Sequence, residues 1–259
     1  MPDPQDLLVE RPAEGVLLLR LNRPERRNAL ATPLLRAVAD AIETAEGDDG
    51  VRVVVITGSD TLFAAGADIG ELAASGADDP IETPRYLAWA AIRAFSKPLI
   101  AAVEGWCLGA GAELMMCADI VVAAKGAKIG QPETNLGIIP GAGGTATLPR
   151  RIGQARAMHM VLAGEPIGAE EAHAIGLIAR LTEQGQALAD ALALAAKLAM
   201  RAPLALRAAK ASIRDAEHLD EAAHLRSERV RFIELLGTAD KAEGIAAFRE
   251  KRAPNWQGR

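Results

Sequence analysis

Several residue types that define protein classes are scarce in this chain of 259 residues. It contains two cysteines, three tryptophans, one tyrosine and four phenylalanines. Because Cys107 and Cys117 lie in an apolar region without a CxxC spacing, the sequence predicts no disulfide framework. This favours a reducing compartment, and we expect a cytoplasmic protein. With so few aromatic rings, the core must be built from alanine, leucine, isoleucine and valine.

An excess of basic residues is also missing. The 29 lysines and arginines are outnumbered by 34 acids, which gives a net charge of −5. Since proteins that bind nucleic acids usually carry a basic surface, we expect no nucleic-acid partner. The most apolar stretch, residues 99–124, is interrupted by Glu104, Glu113 and Asp119, so we predict no membrane-spanning segment. The acidic first ten residues predict neither a secretory signal nor a transit peptide.

Short apolar runs alternate with helical patterns over the first two thirds of the chain. Branched apolar runs at residues 16–21, 52–57, 99–103 and 120–124 predict buried strands. Helical spacing predicts one helix with Thr32 as its N-cap and Pro33 as its first residue, and a second over residues 82–95. A third follows the glycine-rich turn at residues 105–111 and ends near Ala118. This alternation predicts an α/β domain.

Beyond Gly185 only helical patterns remain. They cover residues 187–201, 204–215, 219–236 and 238–251. A run of amphipathic helices cannot bury all its apolar stripes by itself. We therefore expect this region to pack on the core or on a neighbouring subunit.

Three glycine-rich segments lie beside apolar runs: residues 63–68 (FAAGAD), 105–113 (GWCLGAGAE) and 139–145 (IPGAGGT). Glycine permits positive φ angles and the close approach of another molecule to the backbone. Each segment taken alone could be a tight turn. Three of them in one α/β domain favour a ligand that lies against the main chain.

Familiar catalytic and cofactor motifs are absent from the sequence. In the second glycine-rich segment, Leu114 occupies the position of the third glycine of a dinucleotide-binding fingerprint, and the next strand ends without the acid that would bind ribose. There is no GxxxxGK[ST] phosphate loop and no GxSxG nucleophile turn, and none of the four histidines belongs to an HExxH pattern. We therefore expect neither a dinucleotide cofactor nor a metal ion.

Two acidic residues lie in unusual surroundings. Glu113 falls in the first turn of an otherwise apolar helix, so it is either buried or a helix-start carboxylate that responds to the macrodipole. Glu133 follows a short strand and precedes an apolar run, and taken alone it could be an exposed loop acid. Two carboxylates in one dry pocket would suit proton transfer, because desolvation and mutual repulsion raise at least one pKa.

Taken together, the motifs resemble the enoyl-CoA hydratase (crotonase) family. The resemblance rests on LNRP at residues 21–24, NAL at 28–30, FAAGAD, KPLIAAVEGWCLGAGAEL at 97–114, GQPETNLGIIPGAGGT at 130–145 and the terminal residues 243–252. It runs from about residue 6 to about residue 254. It implies an α/β, crotonase-like spiral of ββα units over residues 1–195, followed by a helical region at 196–259 for assembly into a homotrimer or a dimer of trimers.

The resemblance also implies an acyl-CoA thioester substrate. The backbone N–H groups of Ala67 and Ala110 would hold the thioester carbonyl, Glu113 would activate water as the base, and Glu133 would supply a proton as the acid. Gly141 matches a backbone position that helps to hold the water. Coenzyme A enters as part of the substrate, so no separate cofactor is implied.

Hydration and isomerisation both occur in this family. The hydratases add water to a trans-2-enoyl-CoA to give a 3-hydroxyacyl-CoA, in fatty-acid or phenylacetate-type degradation. The double-bond isomerases generally need one carboxylate, most often at the position of Glu133. Since this chain has both acids, we expect a hydratase.

Further substrate contacts are implied for Ala65, Asp68 and Ile69. Many family members have a lysine where this chain has Gly70. Arg26, Arg27 and Lys251 are candidates to hold the CoA phosphates in its place, and the lysine would reach into a neighbouring subunit. We expect residues 71–93 to fold over the site and to set the length of the acyl chain.

Overall fold

The computed structural model describes residues 5–259. Its strands are β1 (Leu7–Ala13), β2 (Gly15–Leu21), β3 (Val51–Thr57), β4 (Leu62–Ala64), β5 (Leu99–Val103), β6 (Trp106–Leu108), β7 (Ile120–Ala124), β8 (Lys128–Gly130), β9 (Ile167–Gly168) and β10 (Arg180–Thr182). Its α-helices are α1 (Thr32–Gly47), α2 (Ile69–Ala74), α3 (Pro84–Ala94), α4 (Ala110–Cys117), α5 (Gly144–Ile152), α6 (Gln154–Ala163), α7 (Ala169–Ala174), α8 (Ala187–Ala199), α9 (Pro203–Asp215), α10 (Glu221–Leu236) and α11 (Ala239–Glu250). Short 3-10 helices cover Pro24–Arg26 and Glu133–Leu136.

Two sheets run side by side through the molecule. The larger has the strand order β1-β2-β3-β5-β7-β10 and the smaller has the order β4-β6-β8-β9. From β3 to β8 the chain places strands in the two sheets alternately, and helices follow each pair of strands. Each ββα unit thus adds one parallel strand to both sheets, which confirms the predicted α/β spiral.

Both faces of the larger sheet are buried. One face packs on the helices of the spiral, and the other is covered by α8, which presents Ala187, Ala191, Ala195 and Ala199 to the strands. Alanine at every fourth position lets this helix approach the sheet closely. Burial on both faces explains why the strands are continuous apolar runs rather than alternating ones.

The predicted strands are present within one residue of their expected bounds. One detail of the first helix was wrong. Thr32 is the first helical residue and does not cap the helix. Instead, its N–H and hydroxyl groups donate hydrogen bonds to the carboxylate of Glu71, at 2.8 to 2.9 Å. The capping acceptor therefore comes from a residue far along the chain.

Several short strands and helices were not predicted from the sequence. β6 lies inside the segment predicted as a glycine-rich turn, and α5, α6 and α7 were not predicted. A strand of three residues carries too little pattern to reveal its period, and here pairing with β4 and β8 defines it.

The C-terminal helices match the prediction within two residues at each end. The predicted boundary at residues 195 and 196 falls inside α8, which packs on the larger sheet, and the division of the chain into two regions stays a prediction. Over residues 5–259, no helix combines the length and the apolar character needed to cross a lipid bilayer.

Candidate active site

A cavity of about 570 Å³ opens between the ends of the small-sheet strands and α3. It contains both acids that the sequence analysis singled out, together with all three glycine-rich segments. The residues that line it include Ala65, Gly66, Ala67, Ile69, Arg85, Trp89, Arg93, Gly109, Ala110, Glu113, Glu133, Gly141, Ala142 and Gly143. Three segments that looked like separate turns in the sequence are therefore parts of one wall.

Glu113 is almost fully buried, with 2% of its surface exposed. It lies in the first turn of α4, and its Oε1 accepts hydrogen bonds from the backbone N–H groups of Ala142 and Gly144, at 2.7 and 2.8 Å. Burial raises the pKa of this carboxyl, while the two N–H groups and the charges of Arg93 and Arg85 oppose the rise. The glycine-rich segment at residues 139–145 thus serves as a clamp on the carboxylate.

Glu133 begins the 3-10 helix that follows β8 and is half-buried. Burial, reinforced by the negative charge of Glu113, raises the pKa of Glu133 to about 7. Its carboxylate lies close to the turn that begins α4. A Cβ atom built on Gly109, in that turn, would lie 3.0 Å from Glu133 Oε1. A larger residue at position 109 would therefore displace this acid.

Gln131 is a site residue that the sequence analysis missed. It is fully buried, and its amide nitrogen can face either the carbonyl oxygen of Gly109, at 3.3 Å, or both Glu133 oxygens, at 3.1 and 3.2 Å. It therefore connects Glu133 to the turn that begins α4. A glutamine two residues from a candidate catalytic acid was the only signal in the sequence.

Ala67 and Ala110 bring two backbone N–H groups to the cavity. Ala110 is the first residue of α4, where N–H groups have no partner inside the helix. Among residues 5–259, neither N–H group donates a hydrogen bond to another residue. The loops that carry them are in contact, since a Cβ atom on Gly109 would lie 3.7 Å from Gly66 Cα. Both N–H groups are therefore free to bind a ligand in the cavity, and their role as an oxyanion site stays a prediction.

Comparisons with known proteins agree with this geometry. The family model described as enoyl-CoA hydratase/isomerase matches residues 11–259. The chain is 46% identical to the 2,3-dehydroadipyl-CoA hydratase of Escherichia coli, over 98% of this chain and 99% of that one. It is 40% identical to a probable enoyl-CoA hydratase of Mycobacterium leprae, over 95% and 96%. The chain belongs to the enoyl-CoA hydratase/isomerase family.

Solved structures of family members have the same architecture. An enoyl-CoA hydratase subunit from Geobacillus kaustophilus superimposes with a TM-score of 0.92 at 36% identity, and 98% of each chain is covered. An enoyl-CoA hydratase from Bacillus anthracis gives a TM-score of 0.91 at 34% identity, over 98% of this chain and 100% of that one. The resemblance inferred from the motifs is thereby confirmed, as is the crotonase-like fold.

The other predicted substrate contacts fall into two groups. Ala65 and Ile69 line the cavity, and so does Gly141. Asp68 lies outside the lining, where its carboxylate accepts a hydrogen bond from the Gly70 N–H at 3.0 Å and forms an ion pair with Arg23 at 3.5 Å. Asp68 is the N-cap of α2, which begins at Ile69, and the cap thereby fixes Ile69 at the cavity.

Arg26, Arg27 and Lys251 also lie outside the lining of the cavity. All three are exposed in the single chain, and Lys251 is the C-cap residue that follows α11. The main chain of Arg27 adopts a left-handed conformation, with φ 51°, and its carbonyl oxygen accepts a hydrogen bond from the Ala65 N–H at 3.1 Å. Arg27 thus supports the cavity wall through its backbone. Binding of the CoA phosphates by the three side chains stays a prediction.

Residues 71–93 fold over the cavity as expected. Leu72, Ile81 and Thr83 belong to its lining, as do residues of α3. Trp106, in the second glycine-rich segment, exposes 48% of its surface and lies outside the lining of the cavity. In the part of the chain that the structure describes, no three histidine, cysteine or acidic side chains gather as metal ligands would.

Proposed function

We propose that this member of the family adds water across the C2–C3 double bond of a trans-2-enoyl-CoA to give a 3-hydroxyacyl-CoA. One observation carries the proposal: Glu113 and Glu133 line the same cavity as the N–H groups of Ala67 and Ala110. Two carboxyl groups beside a site for an oxyanion supply a base, an acid and stabilisation of the enolate-like state that this addition passes through.

The two acids in the cavity can account for every proton that the addition of water moves. The thioester oxygen accepts hydrogen bonds from the N–H groups of Ala67 and Ala110, and Glu113 takes a proton from water as the water oxygen bonds to C3. The electron pair of the double bond moves toward the thioester, whose oxygen gains negative charge. Carbon C2 then takes the proton of Glu133. Proton transfer from Glu113 to Glu133 through a water molecule restores the starting state.

The environments of the two acids favour these roles. The N–H groups of Ala142 and Gly144 stabilise the anionic, basic form of Glu113. The pKa of Glu133 is raised to about 7, so a large fraction of this acid holds its proton at neutral pH. Each N–H group of the oxyanion site is expected to stabilise the transition state by about 3 kcal/mol.

Double-bond isomerisation is the alternative within this family. It needs one carboxylate to move a proton, whereas hydration uses two. The presence of both acids in one cavity supports hydration, and the relatives that match nearly the whole chain are named as hydratases. This supports a hydro-lyase rather than an isomerase.

A spectrophotometric assay tests the proposal. Hydration of crotonyl-CoA removes the ultraviolet absorbance of the conjugated thioester, whereas isomerisation of a 3-enoyl-CoA creates it. We expect rapid loss of absorbance with crotonyl-CoA and little or no gain with 3-hexenoyl-CoA. The opposite pattern would replace hydratase by isomerase, and no change with either substrate would contradict both.

Membership in a degradative pathway is part of this proposal. The 46% identical relative is named for a dicarboxylic substrate, and a 36% identical relative from Syntrophomonas wolfei is named crotonyl-CoA hydratase. The first name indicates an acyl chain that ends in a carboxylate, the second indicates a short uncharged acyl chain, and neither states a pathway. The names therefore do not choose between a charged and an uncharged acyl chain. The cytoplasmic location stays a prediction.

Self-assembly through the C-terminal helices is also proposed. As a single chain, α9 and α10 bury none of their residues fully. Apolar side chains that stand exposed on α10 and α11 include Leu225, Val230, Phe232, Ile233, Leu236, Ile245 and Phe248. We propose that further copies of this chain cover them, as a trimer or a dimer of trimers. Light scattering should give three or six times the mass of one chain, and a monomer would contradict the proposal.

A further inference from the structure

One wall of the cavity carries positive charge that the proposed chemistry does not use. Arg85, Trp89 and Arg93 stand four residues apart on α3, so they share one face of the helix, and all three line the cavity. The lining beside them is apolar and contains Ile69 and Ile81. A guanidinium group in an apolar wall needs a hydrogen-bonding or charged partner, because moving its charge out of water without one costs free energy.

Arg93 already has partners. It donates a hydrogen bond to the carbonyl oxygen of Ala142, and its guanidinium lies 5.6 Å from the centre of the Trp89 ring. Since the N–H of Ala142 holds Glu113, Arg93 supports the loop that fixes the catalytic base. The guanidinium of Arg93 therefore already has its partners within the protein.

Arg85 retains free hydrogen-bonding capacity. Its Nη1 donates to the carbonyl oxygen of Leu30 at 2.7 Å and lies 3.9 Å from Glu71. Glu71 is committed elsewhere, because its oxygens accept hydrogen bonds from the N–H and hydroxyl groups of Thr32. A guanidinium has five N–H donors in a planar fork. A quarter of the Arg85 side chain is exposed, so a ligand in the cavity can reach the remaining donors.

The position of Arg85 matches the acyl end of the substrate. Burial lowers the pKa of Arg85, and the negative charges of Glu71 and Glu113 oppose that change. The charge of Arg85 in turn acts to lower the pKa of Glu113. Arg85 also lines the same cavity as Glu113 and Glu133, the two acids assigned to the reacting carbons. The phosphates of CoA are separated from those carbons by the whole pantetheine arm, so they are not the anion that Arg85 meets.

We infer that Arg85 binds a carboxylate at the far end of the acyl chain, so that the preferred substrates are trans-2-enoyl-CoA thioesters with a terminal carboxylate. This inference rests on the proposed hydratase function. A carboxylate matches the guanidinium fork with two parallel hydrogen bonds. A hydrocarbon tail would instead remove water from the cation and offer no hydrogen bond. Arg85 is thus a specificity-determining residue and touches none of the reacting atoms.

Two six-carbon substrates that differ only at the far end test the inference. We expect the wild-type protein to hydrate trans-2-hexenedioyl-CoA with a kcat/KM roughly 10- to 100-fold above that for trans-2-hexenoyl-CoA. Arg85→Met should remove this preference, with a larger loss of kcat/KM for hexenedioyl-CoA than for hexenoyl-CoA. Arg85→Lys should restore part of the preference, because it keeps the charge and loses the fork.

The matched control is Arg36→Met, which removes the same charge from the exposed face of α1, where Arg36 pairs with Asp40. It should leave both kcat/KM values unchanged. A wild-type protein that hydrates hexenoyl-CoA as well as or better than hexenedioyl-CoA overturns the inference and leaves the proposed function intact. Equal losses on both substrates in Arg85→Met also overturn it, since Arg85 would then act through Glu113 or the fold. Failure to hydrate either substrate would contradict the proposed function itself.

Discussion

The two candidate catalytic carboxylates are the same kind of side chain held in two different ways. Glu113 lies on α4, is 2% exposed, and has one oxygen fixed by two backbone N–H groups of a distant loop. Glu133 begins a 3-10 helix, is half-buried, and contacts the amide of Gln131. One acid is thus clamped by the main chain, and the other is held by a neighbouring side chain.

This difference separates their protonation behaviour. Burial acts on both acids, but the two N–H groups partly cancel its effect on the pKa of Glu113. For Glu133, the charge of Glu113 adds to burial, and the pKa rises to about 7. Because the two acids interact, they titrate as a pair. The comparison teaches that backbone hydrogen bonds can give two identical side chains different pKa shifts, as the proposed base and acid roles require.

Removing either carboxylate should have the largest effect. We expect Glu113→Gln and Glu133→Gln each to lower kcat for crotonyl-CoA hydration by roughly 10²- to 10⁴-fold, because each acid moves one proton. Steady-state assays give kcat, and isothermal titration with CoA should show affinity close to wild type. Full hydration activity in either variant would remove that residue from the mechanism.

The clamp on Glu113 can be tested at Gly144. A Cβ atom there would lie 2.8 Å from Pro140 Cβ, 2.9 Å from Gln131 Oε1 and 3.1 Å from Glu113 Oε1, so Gly144→Ala must shift the carboxylate or the loop. We expect kcat to fall by roughly 10- to 100-fold, since a small misplacement of a catalytic group is costly.

A matched glycine substitution serves as the control for this experiment. Gly47 ends α1, and a Cβ atom there would meet nothing within 4 Å. Gly47→Ala should retain wild-type kcat. Wild-type activity in Gly144→Ala would show that Glu113 does not depend on the geometry of its clamp.

The raised pKa of Glu133 predicts a pH profile for hydration. An acid that must hold its proton loses activity as the pH rises above its pKa, so kcat/KM should fall about tenfold per pH unit above roughly pH 7. Glu133→Gln has no proton to lose, and its residual activity should lack this alkaline limb. If kcat/KM of Glu133→Gln still falls above pH 7 as in the wild type, a group other than Glu133 causes the fall.

The smallest expected effect concerns stability. Because folding raises the pKa of Glu133 from 4.5 to about 7, the folded state holds this proton more tightly, and stability is lost as the pH rises through that range. Glu133→Gln should therefore increase the free energy of unfolding at pH 8 by about 1 kcal/mol, allowing for partial solvent exposure. At pH 4 the two proteins should be equally stable. Urea denaturation at pH 4 and pH 8 measures the free energies of unfolding of the two proteins. Equal stability at pH 8 would show that folding does not raise the pKa of Glu133.

Much of the site was visible in the sequence because its chemistry is carried by main-chain positions with fixed spacing. The segments around Ala67, Ala110 and Gly141 are rich in glycine, which marked them as candidates. The short strands β4 and β6, whose pairing brings the first two segments together, were not predicted. Gln131 and Arg85 were missed for the opposite reason. Their role depends on which atoms they face, and neither spacing nor composition reports that.

By itself, the sequence determined an α/β domain, the helical C-terminal region and the two candidate acids, since these follow from periodicity and local motifs. The spiral arrangement was implied only by the resemblance to the family. Only the tertiary structure decided that Glu133 stands next to Gly109, that the loop at Ala142 holds Glu113, and that Arg85 faces the cavity with donors to spare. The reason is physical. A pKa, an oxyanion site and a specificity pocket are created by the distances between segments that are remote in the chain, and those distances exist only after the sheets have packed.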